Sequence, residues 1–325
     1  KPTIVAHSPF DAASDATVLW SAMKGVGTNE GQIISLVTKR TLNQRMEIMS
    51  KYEEHYGRNL MKDLKKEVEV IFWSFCGNVS NKPLLYAEAV HNAVSSYGTD
   101  DQALTDIFCC LHGITMDELA DVYKKEYSNE MKTDVKKDVS GNYKELLDAL
   151  MNGKRRSSIS FHENATSSLE VAKELVKAGA AIMLGTKEKP IIRIFSESSY
   201  KELAEVAKEY KKFTNIALEE SIKLETSGNF RDLLVKILRY AEDPINHYAN
   251  LLHVALQHPK LNRLKKDSHH NRHVTRILVD RCEVDLVEIM ERYDVVAKRT
   301  LENDVKAATS GDFEKACVSI IRGNI

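Results

Sequence analysis

Apolar positions along the chain recur with a helical spacing. In ATVLWSAMK, Val18, Leu19, Ala22 and Met23 fall at i, i+1, i+4 and i+5, and in NEGQIISLVTKR the residues Ile33, Ile34, Leu36 and Val37 repeat the pattern. Strand-like alternation is scarce, and only six prolines interrupt 325 residues. The pattern predicts an all-α fold.

The helical pattern is also periodic on a longer scale. Gly25-Val26-Gly27-Thr28 recurs as Ser96-Tyr97-Gly98-Thr99 and as Met183-Leu184-Gly185-Thr186. A second signature, Val139-Ser140-Gly141-Asn142-Tyr143, recurs as Thr226-Ser227-Gly228-Asn229-Phe230 and as Thr309-Ser310-Gly311-Asp312-Phe313. An acid lies 40 residues after the loop glycine three times: Glu67 after Gly27, Asp138 after Gly98 and Glu225 after Gly185. Thr41-Leu42-Asn43-Gln44, Thr115-Met116-Asp117-Glu118 and Ser199-Tyr200-Lys201-Glu202 read as capping boxes 14, 17 and 14 residues beyond that glycine. These signals predict four repeats of about five short helices, over 11–80, 81–153, 165–242 and 243–325. A short segment, 1–10, precedes them, and a polar linker, 154–164, separates the second from the third.

Composition narrows the function. With 46 basic against 47 acidic residues there is no polybasic stripe, so nucleic acid is not an expected partner, and attraction to an anionic membrane needs a further cation. The first residues carry no apolar signal region, and no apolar run reaches the roughly 18 residues of a membrane span, so the expectation is a cytoplasmic protein. Five cysteines, Cys76, Cys109, Cys110, Cys282 and Cys317, fit buried thiols better than a disulfide framework, and no C-x-x-C pair suggests zinc. His269, His270 and His273 sit among lysine and aspartate and read as a solvated loop rather than a metal site. Arg155-Arg156-Ser157-Ser158, in the linker, has the form of a basophilic kinase target. Paired acids, nucleophile elbows and triad spacings are absent, so no enzyme is expected.

The glycine loops carry the candidate chemistry. A phosphate-binding P-loop needs Gly-Lys-Ser/Thr after a strand, and here the loop follows a helix. A plain helix-to-helix turn is the simpler reading, with Gly25 as a left-handed C-cap and Thr28 or Asn29 as the next N-cap. That turn does not explain the distant acid. Bare carbonyls at Met23, Gly25 and Gly27, with both oxygens of Glu67, supply five hard oxygen ligands, leaving room for water or lipid oxygens in the shell of about seven that Ca²⁺ takes. One carboxylate cannot neutralise a divalent ion, so such a site tightens when an anionic phosphate completes it, and calcium and membrane promote each other's binding.

MKGVGTNE with Glu67 resembles the main calcium site of annexins, and TSGNF and TSGDF resemble the annexin sequence at the start of each repeat's last helix. The resemblance covers the chain from about residue 11. It implies a slightly curved disc of four five-helix repeats, with calcium loops on the convex face that dock peripherally on acidic phospholipids. It also implies minor calcium sites at Thr28 with Glu30, Thr99 with Asp101, and Thr186 with Glu188.

The repeats match that pattern unequally. Repeat two offers Val94, Ser96 and Gly98 with Asp138, and repeat three keeps one glycine, Gly185, with Glu225. Repeat four has Ala308 in place of the acid, so no calcium is expected there. The loop tips Val26, Tyr97 and Leu184 are apolar or aromatic and are candidate membrane contacts, packing on neighbouring helices being the other reading. The leading expectation is a calcium-regulated peripheral membrane protein, monomeric in solution and able to assemble on the membrane. The alternative is a helical scaffold for cytoskeletal or flagellar proteins, as in the divergent protist annexins called alpha-giardins, with calcium secondary.

Overall fold

The computed structural model describes residues 1–24, 27–67, 82–95, 99–111, 113–156, 167–182, 188–257 and 269–325, without the side chains of 65–67, 179–182, 269 and 270. Every regular element among them is a helix. Repeat one contains α1 Ala12–Met23, α2 Glu30–Val37, α3 Leu42–Tyr56 and α4 Leu60–Glu67. Repeat two contains α5 Lys82–Ser95, α6 Asp101–Phe108, α7 Met116–Tyr127, α8 Met131–Asp138 and α9 Gly141–Met151. Repeat three contains α10 Ser168–Ile182, α11 Lys189–Glu197, α12 Tyr200–Thr214, α13 Leu218–Glu225 and α14 Gly228–Glu242. Repeat four contains α15 Pro244–Leu256, α16 His269–Arg281, α17 Leu286–Ala297, α18 Leu301–Ala308 and α19 Gly311–Arg322. None of the described helices is long and apolar enough to cross a membrane.

The capping boxes form as the sequence predicts. The Thr41, Thr115 and Ser199 hydroxyls accept from the backbone N–H of Gln44, Glu118 and Glu202, whose side chains accept from the cap N–H in return. Each such cap contributes about 1 kcal/mol and fixes where the third helix of its repeat begins. The third helices end alike: Gly57, Ser128, Asn215 and Lys298 all adopt the left-handed conformation, with φ of 61°, 58°, 60° and 56°. A helix of 8 residues follows each of these turns, and its last residue is Glu67, Asp138, Glu225 or Ala308. The turn and the fixed helix length therefore set the register of the distant acid.

A buried hydrogen bond braces that turn. Tyr52 donates to Asp63 (3.0 Å), Tyr123 to Asp134 (3.0 Å) and Tyr293 to Asp304 (2.7 Å), each tyrosine on a third helix and each acid on the fourth. Tyr52, Tyr123 and Tyr293 have no exposed surface, so each hydroxyl needs the partner it has. Burial and the neighbouring carboxylate together push the three phenols well above their ordinary range.

The chain divides into two compact units, Lys1–Leu85 with Tyr248–Ile325, and Tyr86–His247. In the first, α1 packs on α3, and α2 packs on α19, where the Thr38 and Ser319 hydroxyls lie 2.6 Å apart. In the second, α12 packs on α10 and α14, and α14 packs on α6. The α6–α14 contact holds a buried ion pair between Asp106 and Lys236. The described cysteines, Cys109, Cys110, Cys282 and Cys317, are buried thiols as expected, while Cys76 lies outside the described residues.

Candidate calcium sites

The first two interhelical loops close in the same way. Asn29 N–H donates to the Ala22 carbonyl and Asp100 N–H to the Ala93 carbonyl, both at 2.9 Å. Asn29, one of the two N-caps expected, accepts from Gln32 N–H at 3.0 Å, and Asp100 accepts from Ala103 N–H at 2.9 Å. α1 ends with Lys24 as its C-cap, in an extended conformation; the left-handed cap expected at Gly25 lies outside the described residues. Gly27 does need its freedom, having φ +92°, while the space where a Cβ would stand is empty. The backbone conformation, rather than crowding, is what selects glycine there.

Met23 ends α1 and Val94 lies in the last turn of α5, so both carbonyls belong to the C-terminal turn whose oxygens lack intrahelical donors. Glu30 and Asp101 are the first residues of α2 and α6, directly after Thr28 and Asn29 or Thr99 and Asp100, while Glu188 is the N-cap of α11 without a capping hydrogen bond. Glu67, Asp138 and Glu225 are the final residues of α4, α8 and α13. Gly25, Val26, Ser96, Tyr97, Gly98, Leu184, Gly185 and Thr186 lie outside the described residues, as does the side chain of Glu67.

After each distant acid the backbone runs the same course in repeats two, three and four. Val139, Thr226 and Thr309 are extended, Ser140, Ser227 and Ser310 follow as N-caps, and Gly141, Gly228 and Gly311 have φ of 59°, 60° and 67°. Repeat four thus keeps this part of the frame while Ala308 stands where the others carry the acid.

Within the second unit, the sites of repeats two and three open into one cleft of about 380 Å³. Asp101 and Asp138 from repeat two and Glu188 and Glu225 from repeat three line it, with Asn142 and Asn229, and among the described residues no lysine or arginine does. Asn229 Nδ2 donates to Asp101 Oδ2 at 2.5 Å, bridging the two repeats. The other oxygen, Oδ1, is buried and has no hydrogen-bond partner among the described residues. Burial pushes the Asp101 carboxyl above its ordinary range, against the opposing pull of the Asn229 amide, and burial alone raises that of Glu225. A carboxylate in that condition favours either a proton or a cation.

Leu224 was not singled out by sequence reasoning. It precedes Glu225 and is 83% exposed, an apolar side chain left in water beside a candidate cation site. Its signal was present in the sequence, as an apolar residue where the corresponding positions before Glu67 and Asp138 carry lysine.

One further expectation changes. His269, His270 and His273 are not in a loop but begin α16; a helix start tolerates polar residues, which is why composition misread them. The two arginines of the kinase-like linker both have partners. Arg155 donates to the carbonyls of Ser198 (2.5 Å) and Phe195 (2.7 Å) and lies over the Tyr200 ring, and Arg156 pairs with Glu202 at 3.1 Å. Ser157 and Ser158 lie outside the described residues.

Comparison with known proteins agrees with this architecture. The annexin family model matches residues 14–74, 86–150, 172–237 and 263–320. Annexin B10 of Drosophila melanogaster is 31% identical over 322 residues, covering 98% of this chain and 97% of its own. The crystal structure of calcium-bound annexin (Sm)1 superposes with a TM-score of 0.83 at 29% identity, over 99% of this chain and 93% of that one. Calcium-bound alpha-1 giardin shares the fold, with a TM-score of 0.71 at 16% identity over 96% and 99% of the two chains. Four matched repeats and a relative aligned along nearly its full length leave one conclusion: the chain belongs to the annexin family.

Proposed function

We propose that this annexin binds acidic phospholipid membranes peripherally and in a calcium-dependent way, through carbonyl and carboxylate sites in repeats one, two and three. In repeat one the ligands are Met23, Gly25, Gly27 and Glu67, with Thr28 and Glu30 as the minor site. In repeat two they are Val94, Ser96, Gly98 and Asp138, with Thr99 and Asp101. Repeat three uses Gly185 and Glu225, with Thr186 and Glu188. The observation that carries the reading is the cleft lined by Asp101, Asp138, Glu188 and Glu225, with no lysine or arginine among its described residues. Four carboxylates lining one cleft offer hard oxygen ligands of the kind Ca²⁺ takes. The family is generally one of calcium-dependent phospholipid binders rather than enzymes. Val26, Tyr97, Leu184 and the exposed Leu224 are the side chains proposed to meet the lipid.

Co-sedimentation with phosphatidylserine vesicles across a calcium titration tests this. Pelleting should require calcium and reverse on chelation. Glu67→Gln, and separately Asp138→Asn with Glu225→Gln, should each need on the order of tenfold more calcium. Leu224→Asp should weaken pelleting at fixed calcium without altering the calcium-free fold. Pelleting of every variant without calcium, or of none with it, transfers the case to the cytoskeletal scaffold reading, which is supported only by likeness of fold to the giardin; filament or tubulin binding indifferent to chelation then becomes the expected activity.

A further inference from the structure

A second cluster of potential metal-ligating side chains lies in the interior of the second unit. Cys109 caps the end of α6, Cys110 follows it, and His247 lies near the start of α15. The sequence separates Cys109 from His247 by 138 residues, yet Cys109 Sγ and His247 Nε2 stand 3.5 Å apart, and the ligand atoms of all three residues lie within 4.8 Å of one another. All three are buried. Among the described residues this is the one group of three or more such side chains with ligand atoms gathered closely enough to share an ion.

We propose that Cys109, Cys110 and His247 form a buried Cys₂His site for a soft or borderline cation of the zinc class. The geometry fits: bonds of about 2.3 Å to sulfur and about 2.0 Å to nitrogen at a tetrahedral angle hold S and N about 3.5 Å apart. The charge fits as well. Two thiolates and a neutral imidazole balance a divalent ion, so the assembled site is neutral, which a dry interior accepts and an isolated ion is not. Loading transfers the two thiol protons to solvent as the two metal–sulfur bonds form. The nearest carboxylate, Asp106, is already paired with Lys236 and adds no net charge. Its backbone carbonyl, by contrast, lies 3.7 Å from Cys109 Sγ and 3.4 Å from Cys110 Sγ, so one oxygen stands close to both sulfurs. Calcium does not compete, because sulfur is a poor ligand for a hard ion. The site is thus separate from the carboxylate cleft in ligand type and in selectivity.

The simpler account is a thiol donating to an imidazole, with no metal, and cobalt separates the two. The full-length chain, reduced and stripped of metal, is refolded with Co²⁺ in the presence of excess Ca²⁺ to occupy the oxygen sites. A near-ultraviolet thiolate-to-cobalt charge-transfer band, saturating at one equivalent and displaced by one equivalent of Zn²⁺, is the expected result. Cys110→Ser should abolish the band, and His247→Gln should weaken cobalt binding by at least about tenfold. Cys282→Ser and Cys317→Ser, equally buried but remote in sequence, should leave it intact. Absence of the band in the wild-type chain overturns the proposal whatever the variants do, and so does a band that survives Cys109→Ser and Cys110→Ser in folded protein.

Discussion

Glu225 and Glu302 show how one residue type is put to opposite uses. Glu302 accepts from Arg322 and pairs with Lys306, and these partners hold its carboxyl at about 2. Glu225 has lost water to burial without gaining a cation among the described residues, so its carboxyl is held above the ordinary range. The sign of the linkage follows. The folded chain retains the Glu225 proton more firmly than the unfolded chain, so this group's contribution is fully present below the unfolded carboxylate value and is lost as pH rises through the raised folded one. At pH 7 the ionised side chain is a net cost, one that calcium bound at the proposed site would relieve. In chelator at pH 7, Glu225→Gln should therefore melt slightly above the wild type, and the difference should vanish near pH 4. Calcium should raise the melting temperature of the wild type more than that of the variant. Scanning calorimetry at the two pH values decides it; a variant that melts lower in chelator at pH 7 would show that Glu225 is a structural acid like Glu302.

At the scale of the element, the invariant unit is a helix end, a left-handed residue and a helix of 8 residues, braced in repeats one, two and four by the tyrosine–aspartate hydrogen bond. Repeat three has Tyr210 and Ser221 at the corresponding places, and no hydrogen bond joins them. Removing the hydroxyl should accordingly be costly in some repeats and cheap in that one. Tyr293→Phe leaves the Asp304 carboxylate, 6% exposed, with one buried donor fewer and should cost about 1.5–3 kcal/mol, whereas Tyr210→Phe should cost less than about 0.5 kcal/mol. Urea unfolding of the two variants measures both; equal losses would mean that ring packing, not the bond, sets the value. The capping boxes, the repeat period and the +40 acids were legible because each is a local or fixed-spacing signal. The tyrosine–aspartate spacing of 11 was equally fixed but is a pairing of side chains across a turn, which apolar periodicity does not report. Convergence of Asp101, Asp138, Glu188 and Glu225 in one cleft depends on α14 packing against α6, a contact between distant segments with no spacing to betray it.

At the scale of the whole chain, the same limit applies to the first compact unit, which joins Lys1–Leu85 to Tyr248–Ile325 across the length of the sequence. Its join is specific. Thr3 and Ile4 N–H groups donate to the Cys282 carbonyl at 2.8 and 3.0 Å, Asn324 N–H donates to the Thr3 carbonyl at 3.1 Å, and the Asn324 side chain both donates to and accepts from the Val5 backbone at 2.9 Å. Gly323 makes the approach possible on two counts. Its φ of +63° and ψ of −153° lie in a region that costs other residues about 1–3 kcal/mol, and a Cβ there would stand 1.8 Å from the Thr3 carbonyl oxygen. The two costs can be separated, because only the second needs residues 1–5. Gly323→Ala should destabilise the full chain by about 3–4 kcal/mol and a chain lacking residues 1–5 by about 1–3 kcal/mol, the surplus being the coupling between the segments. Urea midpoints of the four proteins close this cycle. Equal costs with and without residues 1–5 would mean that the first residues merely lie against Gly323, whereas a surplus near 2 kcal/mol identifies a joint through which the two distant parts of the unit stabilise each other.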